Sequence, residues 1–386
     1  MNEKFDVIII GAGVIGCSIA YHLCKLGLTN VLLIEKEEFP GTGSTSKANG
    51  GIRAQFTTEI NVQMSLLSMR LLDEMDDEMR SQSGYLKAGY LFMTADPSHL
   101  RQLEKNIHFQ KQLGVSVDLL TKEEIASRVP FVKTDDLVGG SFGSRDGFID
   151  PNGLTNAFLT RALAMGARYL NRTEVLDLVR GGVGDRVKGV KTTAGDFLGD
   201  SVINCAGPSA HKIGEMAGID VPVQPVRRQI AVTGPTPFMP RVIPMTIDMD
   251  TGLLIRRDGD GTSLAYSIPE EPPGFNLKFD PEFVELIAPM MMQRFPILEP
   301  AGFNFSRCWA GCYEVTPDHH AILGESGVPG FLLCNGFSGH GVMHSLAAGL
   351  AMAELIAKGR AESIDIAPLS VRRFAEGKLL HEGAVL

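Results

Sequence analysis

The chain has 386 residues, enough for two domains, and its 44% hydrophobic and 21% charged residues are the balance of a globular protein with a large core. A formal net charge of −9 argues against nucleic acid as a partner, since phosphate backbones are bound by basic surfaces. The six cysteines (Cys17, Cys24, Cys205, Cys308, Cys312 and Cys334) form no CxxC pair, so no metal site is expected and a reducing compartment fits.

The run Phe5–Ile10, FDVIII, is continuously apolar, as in a strand buried on both faces of a parallel sheet. It is too short for a signal peptide or a membrane span, so a soluble, cytoplasmic protein is expected, with peripheral membrane contact left open. After Gly11-Ala12-Gly13-Val14-Ile15-Gly16 a helix follows, with Ala20, Leu23 and Leu26 at helical spacing and Gly27 as its stop. A second buried strand, Val31–Ile34, ends on Glu35. A polar, glycine-rich stretch, 41–51, leads into an amphipathic helix carrying Ile60, Met64, Leu67, Leu71 and Met75. Another helix is predicted near 98–113. A turn is predicted at Asp150-Pro151-Asn152-Gly153, a helix at 154–165 and a strand at 172–179. A short strand at 201–204 runs into Cys205-Ala206-Gly207-Pro208. Residues 220–310 are rich in short β-like runs and prolines. A strand at 330–335, a glycine-rich turn at 336–341 and a long helix to about 357 close the chain.

The glycines at 11, 13 and 16 satisfy GxGxxG between a strand and a helix, the context in which this pattern binds a dinucleotide. The first allows the tight turn, the second lets backbone approach a pyrophosphate, and the third lets helix and strand pack closely. The helix N-terminus then aims N–H groups at the phosphates, with Val14 and Ile15 at its head. Glu35, nineteen residues after Gly16, suits the ribose hydroxyls, with Lys36 beside it, and disfavours a 2′-phosphate. Two further segments favour FAD over NAD. In Gly41–Arg53 (GTGSTSKANGGIR), Ser44, Thr45, Ser46, Asn49, Gly50, Gly51 and Ile52 offer small side chains, hydroxyls and N–H groups along an extended cofactor; alone, the stretch also reads as a surface loop. In Gly336–Met343, a turn opens a helix, and Gly339, His340, Gly341, Val342 and Met343 stand where a helix N-terminus stabilises negative charge on reduced flavin. His340 either donates to the flavin or caps the helix. Val175 and Cys205-Ala206-Gly207 complete the expected cofactor contacts.

With these motifs in place, the chain resembles the D-amino-acid oxidase superfamily of flavoproteins. It is most similar to the branch holding sarcosine oxidases and the β subunits of heteromeric sarcosine oxidase and of proline or hydroxyproline dehydrogenase. The segments carrying the resemblance are DVIIIGAGVIGCSIAYHL (6–23), GGIRAQF (50–56), VINCAGP (202–208), YEVTPDHHAILG (313–324) and GFSGHGVMHS (336–345). It implies an α/β plus α+β fold: a discontinuous Rossmann-like FAD-binding domain (1–85, 140–219 and 310–386) and a substrate domain on a mixed or antiparallel sheet (86–139 and 220–309).

The resemblance also implies oxidation of an amino-acid C–N bond, with hydride passing to flavin N5. It places Arg53 beside the flavin and the substrate carboxylate, and Tyr313 on the substrate side. Where monomeric sarcosine oxidases anchor flavin through a cysteine, this chain has Gly311, with Cys312 displaced by one, so FAD is expected to be non-covalent. Met343 replaces a carboxylate-binding lysine, and Ser263 falls near a lysine tied to oxygen activation, which suggests a dehydrogenase passing electrons to a partner subunit. In the segment 143–148, Arg145 replaces the histidine that carries covalent FMN, leaving open a non-covalent FMN at a subunit interface. His319 and His320 read as structural or flavin-side. The leading expectation is an FAD-dependent dehydrogenase or oxidase of a secondary or N-methyl amino acid. Two alternatives are a flavoenzyme of 2-hydroxy acids, and an FAD-binding subunit inactive alone; a homo-oligomer is also allowed.

Overall fold

The computed structural model describes residues 3–383. Its first layer is a sheet whose strands run in the spatial order Ile322–Glu325, Phe331–Asn335, Gly195–Asn204, Lys4–Ile10, Val31–Ile34 and Arg168–Leu170. All neighbours are parallel except the first pair, so Ile10, Ile34, Asn204 and Asn335 end on one side. The FDVIII run sits between two strands and is buried on both faces. Val7 and Ile9 join the core under the helices Val14–Lys25, Pro151–Ala164 and Gly341–Lys358, while Phe5, Ile8 and Ile10 join that around the helix Ala210–Met216. The two strands Val175–Arg180 and Val187–Thr192 extend this sheet antiparallel from Gly195–Asn204.

The helix Val14–Lys25 crosses Gly341–Lys358 at very short range. A Cβ on Gly349 would lie 2.1 Å from Ser18 Oγ, so only glycine lets the backbones meet there. The C-terminal helix is thereby fastened to the first βαβ unit, as the discontinuous reading requires.

The second sheet has the order Trp309–Val315, Gln224–Val232, Gly261–Tyr266, Leu254–Asp258, Met245–Asp248, Tyr90–Thr94, Gly139–Gly143 and Val117–Leu120. It is antiparallel throughout except where Met245–Asp248 runs parallel to Tyr90–Thr94. The helix Glu282–Arg294 covers one face, burying Phe283, Ile287 and Met291 against Leu91, Ile255 and Leu264. Its last residue, Arg294, is fully buried and pairs with Asp136 at 2.7 Å and with buried Asp248 at 3.3 Å.

Three local expectations are corrected. Residues 150–153 are not a free turn but the head of the helix Pro151–Ala164, with Asp150 accepting from the Asn152 N–H at 2.9 Å and Pro151 at the first position, where a missing N–H costs nothing. The strand predicted at 172–179 begins only at Val175, preceded by a separate three-residue strand, Arg168–Leu170. The domain limits at 140 and 310 cut through the strands Gly139–Gly143 and Trp309–Val315, both of which hydrogen-bond within the second sheet. Residues 1, 2 and 384–386 of the assigned ranges lie outside the described residues.

Removing Arg294 strands the carboxylate of Asp248 without its cation in the core of the second layer. Arg294→Met is expected to cost about 3–5 kcal/mol of unfolding free energy by denaturant titration. A loss below about 1 kcal/mol would show that the pair is dispensable.

Candidate active site

Between the carboxyl ends of the parallel strands and the second sheet lies a cavity of ≈ 700 Å³. Ligands of open parallel sheets bind at this position, beyond the strand ends.

Its floor is the glycine motif. Gly11 has φ +105°, and a Cβ there would sit 2.4 Å from the Cys205 carbonyl oxygen. A Cβ on Gly16 would fall 2.0 Å from the Gly11 carbonyl oxygen, so the third glycine seats the helix on the turn and does not itself face the cavity. At the end of the second strand, Glu35 accepts from the Ala12 N–H at 2.9 Å and from the Glu37 N–H at 3.0 Å, which fixes its carboxylate at the cavity wall beside Lys36.

The 41–51 segment is tied down and is not a loose loop. Ser44 Oγ donates to the Cys312 carbonyl at 2.6 Å, Trp309 Nε1 donates to Lys47 O at 3.0 Å, and Arg256 donates to Asn49 O at 2.6 Å. Thr45 Oγ1 accepts from the Val14 N–H at 3.1 Å, joining this segment to the first helix. Ser44, Thr45, Asn49, Gly50 and Gly51 line the cavity, as do Gly13, Val14, Ile15, Val175 and Cys205-Ala206-Gly207. Ser46 does not: its hydroxyl turns back to the Thr42 and Gly43 carbonyls. Ile52 does not either, being buried in a two-stranded ribbon opposite Gly147.

At the far end Gly339, His340, Gly341, Val342 and Met343 line the cavity at the head of the long helix. His340 occupies the position before the helix, but its side chain makes no capping bond. Its ring instead stands edge-on to Phe56 at 4.9 Å. Burial, Arg53 and His344 hold it well below the ordinary imidazole range, so it is neutral at physiological pH. His319 and His320 lie off the cavity wall. Both ring nitrogens of His320 are engaged, with Nδ1 2.6 Å from the Asp318 carbonyl and Nε2 2.9 Å from Thr58 Oγ1.

Arg53 and Tyr313 meet across the cavity from different layers. The guanidinium of Arg53 is 1% exposed, donates to the Gln55 carbonyl and lies 3.9 Å over the Phe56 ring. Burial lowers its affinity for a proton, opposed by Tyr90, Glu382 and Asp146. The Tyr313 ring packs on the backbone of Gly339, where a Cβ would come within 2.4 Å of it, and Arg228 stands 5.1 Å from its centroid. Beneath Arg53, buried Asp146 accepts from the Ala54 N–H at 3.1 Å and from Gln55 Nε2 at 2.9 Å. Burial pushes that carboxyl up to about 6.

Several wall residues escaped the sequence reading. Glu314 accepts from the Gly336 N–H at 3.0 Å and is pushed by burial up to about 7. Strand alternation next to Tyr313 pointed the other way, since it puts the neighbour of a wall residue on the opposite face, yet both line the cavity. Tyr90, Arg228 and Tyr266 also line the cavity, but sequence-distant strands bring them there. Ser263 lies behind the wall, its hydroxyl 3.5 Å from Asn49 Oδ1, and Arg145 pairs with Asp73 at 2.8 Å on the outer surface. A Cβ at Gly311 would stand 2.5 Å from Lys47 Cβ, so a side chain there would need the backbone to move. Among the described residues, no group of side chains is arranged to hold a metal ion and no helix is long and apolar enough to cross a membrane.

Two outcomes follow. Gly16→Ala forces a methyl group into the Gly11 carbonyl and is expected to lower FAD content severalfold, read as the ratio of flavin to protein absorbance; full retention would contradict the packing role. Asp146 sets a pH dependence. Its folded-state affinity for protons exceeds that of the unfolded chain, so between about pH 4 and pH 6 its contribution to stability falls as pH rises, by up to about 1.4 kcal/mol per unit. Denaturant titrations across this range should show wild type losing stability relative to Asp146→Asn; parallel curves would contradict the assignment.

Comparison with known proteins agrees with this geometry. A family profile described as "DAO: FAD dependent oxidoreductase" matches residues 6–355. FAD-dependent oxidoreductase domain-containing protein 1 of Xenopus laevis is 32% identical over 419 residues, covering 96% of this chain and 83% of the relative. Human mitochondrial sarcosine dehydrogenase is 29% identical over 96% of this chain, but the chain spans only 41% of that relative's length. The crystal structure of L-proline dehydrogenase from P. horikoshii superposes with a TM-score of 0.90 at 31% identity, covering 98% of this chain and 100% of that one. The chain therefore belongs to the DAO family of FAD-dependent oxidoreductases.

Proposed function

We propose that this enzyme oxidises the C–N bond of a secondary or N-methyl amino acid, of the proline, hydroxyproline or sarcosine class. The observation that carries the reading is Arg53, a buried guanidinium on the cavity wall facing Tyr313 and Tyr90. A planar cation in a water-poor chamber suits a carboxylate, which it can grip through two parallel N–H bonds. The relatives named for L-proline and sarcosine support the same substrate class.

FAD, when bound, supplies the hydride acceptor. The chain's own contribution is placement. Arg53 holds the carboxylate, Tyr313 and Tyr90 wall the chamber, and neutral His340 adds no further positive charge to it. The substrate reacts as its neutral amine, losing hydride from carbon and a proton from nitrogen to water, so the chemistry needs orientation more than a dedicated base. Glycine at 311 and the displaced Cys312, whose Sγ contacts the Gly274 carbonyl at 3.6 Å, support non-covalent FAD. Ser263, near which the resemblance places a lysine tied to oxygen activation, supports transfer of electrons to a partner protein rather than to oxygen.

The test compares an amino acid with its amide. Arg53→Met is expected to raise KM for the acid about 30- to 100-fold, the worth of a charge-assisted pair, while leaving the amide's KM near its wild-type value. Equal effects on both compounds would contradict carboxylate binding by Arg53.

A further inference from the structure

The segment after the last helix, through Gly383, returns to the site. Arg373 and Asp318 form a buried ion pair at 2.7 Å, and the Leu380 N–H donates to the same carboxylate at 3.3 Å. Glu382 then reaches the residues that follow Arg53. It accepts from the Thr57 N–H at 2.8 Å, Thr57 Oγ1 at 2.6 Å, the Thr58 N–H at 3.3 Å, Thr58 Oγ1 at 2.8 Å and Asn61 Nδ2 at 3.0 Å. The Gly383 N–H donates back to Thr57 Oγ1 at 2.7 Å.

These contacts fall on the head of the helix Glu59–Asp73. Its N-cap residue Thr58 makes no side-chain capping bond, so Glu382 supplies from another part of the chain the acceptor that a helix start needs. The residues between Arg53 and this cap are short of freedom: Gln110 Nε2 donates to the Phe56 carbonyl at 2.9 Å, and the Phe56 ring supports the guanidinium. Glu382 also belongs to the charges that favour the protonated form of Arg53. Although burial disfavours its own charge, the Thr57, Thr58 and Asn61 donors keep its carboxyl below the usual range.

We infer that Glu382 is a positioning residue for substrate recognition: it clamps Thr57, Thr58 and Asn61, and through them fixes where Arg53 presents its guanidinium to the substrate carboxylate. The inference rests on the reading of Arg53 as the carboxylate anchor, and it adds that the affinity of the site depends on a contact outside the cavity wall. Among the described residues Glu382 is not one that lines the cavity, and FAD retention is expected to be independent of it.

The test uses the FAD-loaded full-length enzyme and three variants, Glu382→Ala, Glu382→Gln and Arg53→Met. Binding of propionate is read by perturbation of the flavin spectrum, and KM and kcat are measured with an oxidisable amino acid. Glu382→Ala is expected to weaken propionate binding and raise KM about tenfold, as when a supporting contact lets an anchor drift, with kcat and FAD content within twofold of wild type. Glu382→Gln, which keeps an acceptor oxygen, is expected to fall between. If Arg53→Met loses propionate and both Glu382 variants bind it normally, the clamp is wrong and the Arg53 reading stands. If Arg53→Met binds propionate normally, the Arg53 reading fails and the clamp with it. If Glu382→Ala does not fold, Thr58→Val, which removes one donor, must reproduce a smaller shift. Loss of FAD together with propionate in these variants would overturn the positioning role in favour of a purely structural one.

Discussion

At the head of the first helix, the backbone of Gly11 passes so close to the Cys205 carbonyl that a methyl group would overlap it, and Gly16 closes on Gly11 in the same way. Both contacts are backbone to backbone, so no side-chain rearrangement relieves them. This crossing brings two parallel strands and one helix start to a common point, and Gly349 meeting Ser18 brings the C-terminal helix to the same unit. The cavity is what remains beyond the strand ends once these elements are drawn together. One end of its wall is the glycine turn and the head of the first helix, and the other end is the head of the helix Gly341–Lys358.

The electrostatics of the other half follow from burial. A guanidinium stays charged in a dry chamber only where nearby negative or polarisable groups offset its desolvation. Arg53 has the Phe56 face, the Gln55 carbonyl and the fields of Asp146 and Glu382. The imidazoles nearby are held neutral chiefly by burial and then by Arg53: His344 is pushed down to about 3, and His340 lies well below the ordinary range. Arg53 and Arg228 thus place two guanidinium groups near Tyr313 on the cavity wall, beside neutral His340.

The first βαβ unit, the turn at Gly11, the close packing at Gly16 and the closure through 330–357 were legible because each rests on local pattern: an apolar run, a GxGxxG turn, a helical stripe. The boundary errors have a different origin. Gly139–Gly143 and Trp309–Val315 pair with strands far away in the chain, and no local periodicity reports which sheet a short strand joins. The same limit explains the site residues that escaped. Arg53 and Tyr313 were visible through family resemblance, whereas Tyr90, Arg228 and Tyr266 reach the wall only through the order of the second sheet. Ser46 and Ile52 show the converse, being inside a cofactor-binding segment yet turned away by a local hydrogen bond or by strand pairing. Asp150 was taken for a turn because Asp-Pro-Asn-Gly serves equally as a turn and as a capped helix start.

The most direct test of the account is an anaerobic titration of the purified, FAD-loaded enzyme followed by visible absorbance. Addition of L-proline, hydroxyproline or an N-methyl amino acid should bleach the oxidised flavin bands in a single turnover, and 2-hydroxy acids of similar size should not. Bleaching by a hydroxy acid with no response to any secondary amine would contradict the assignment of C–N oxidation.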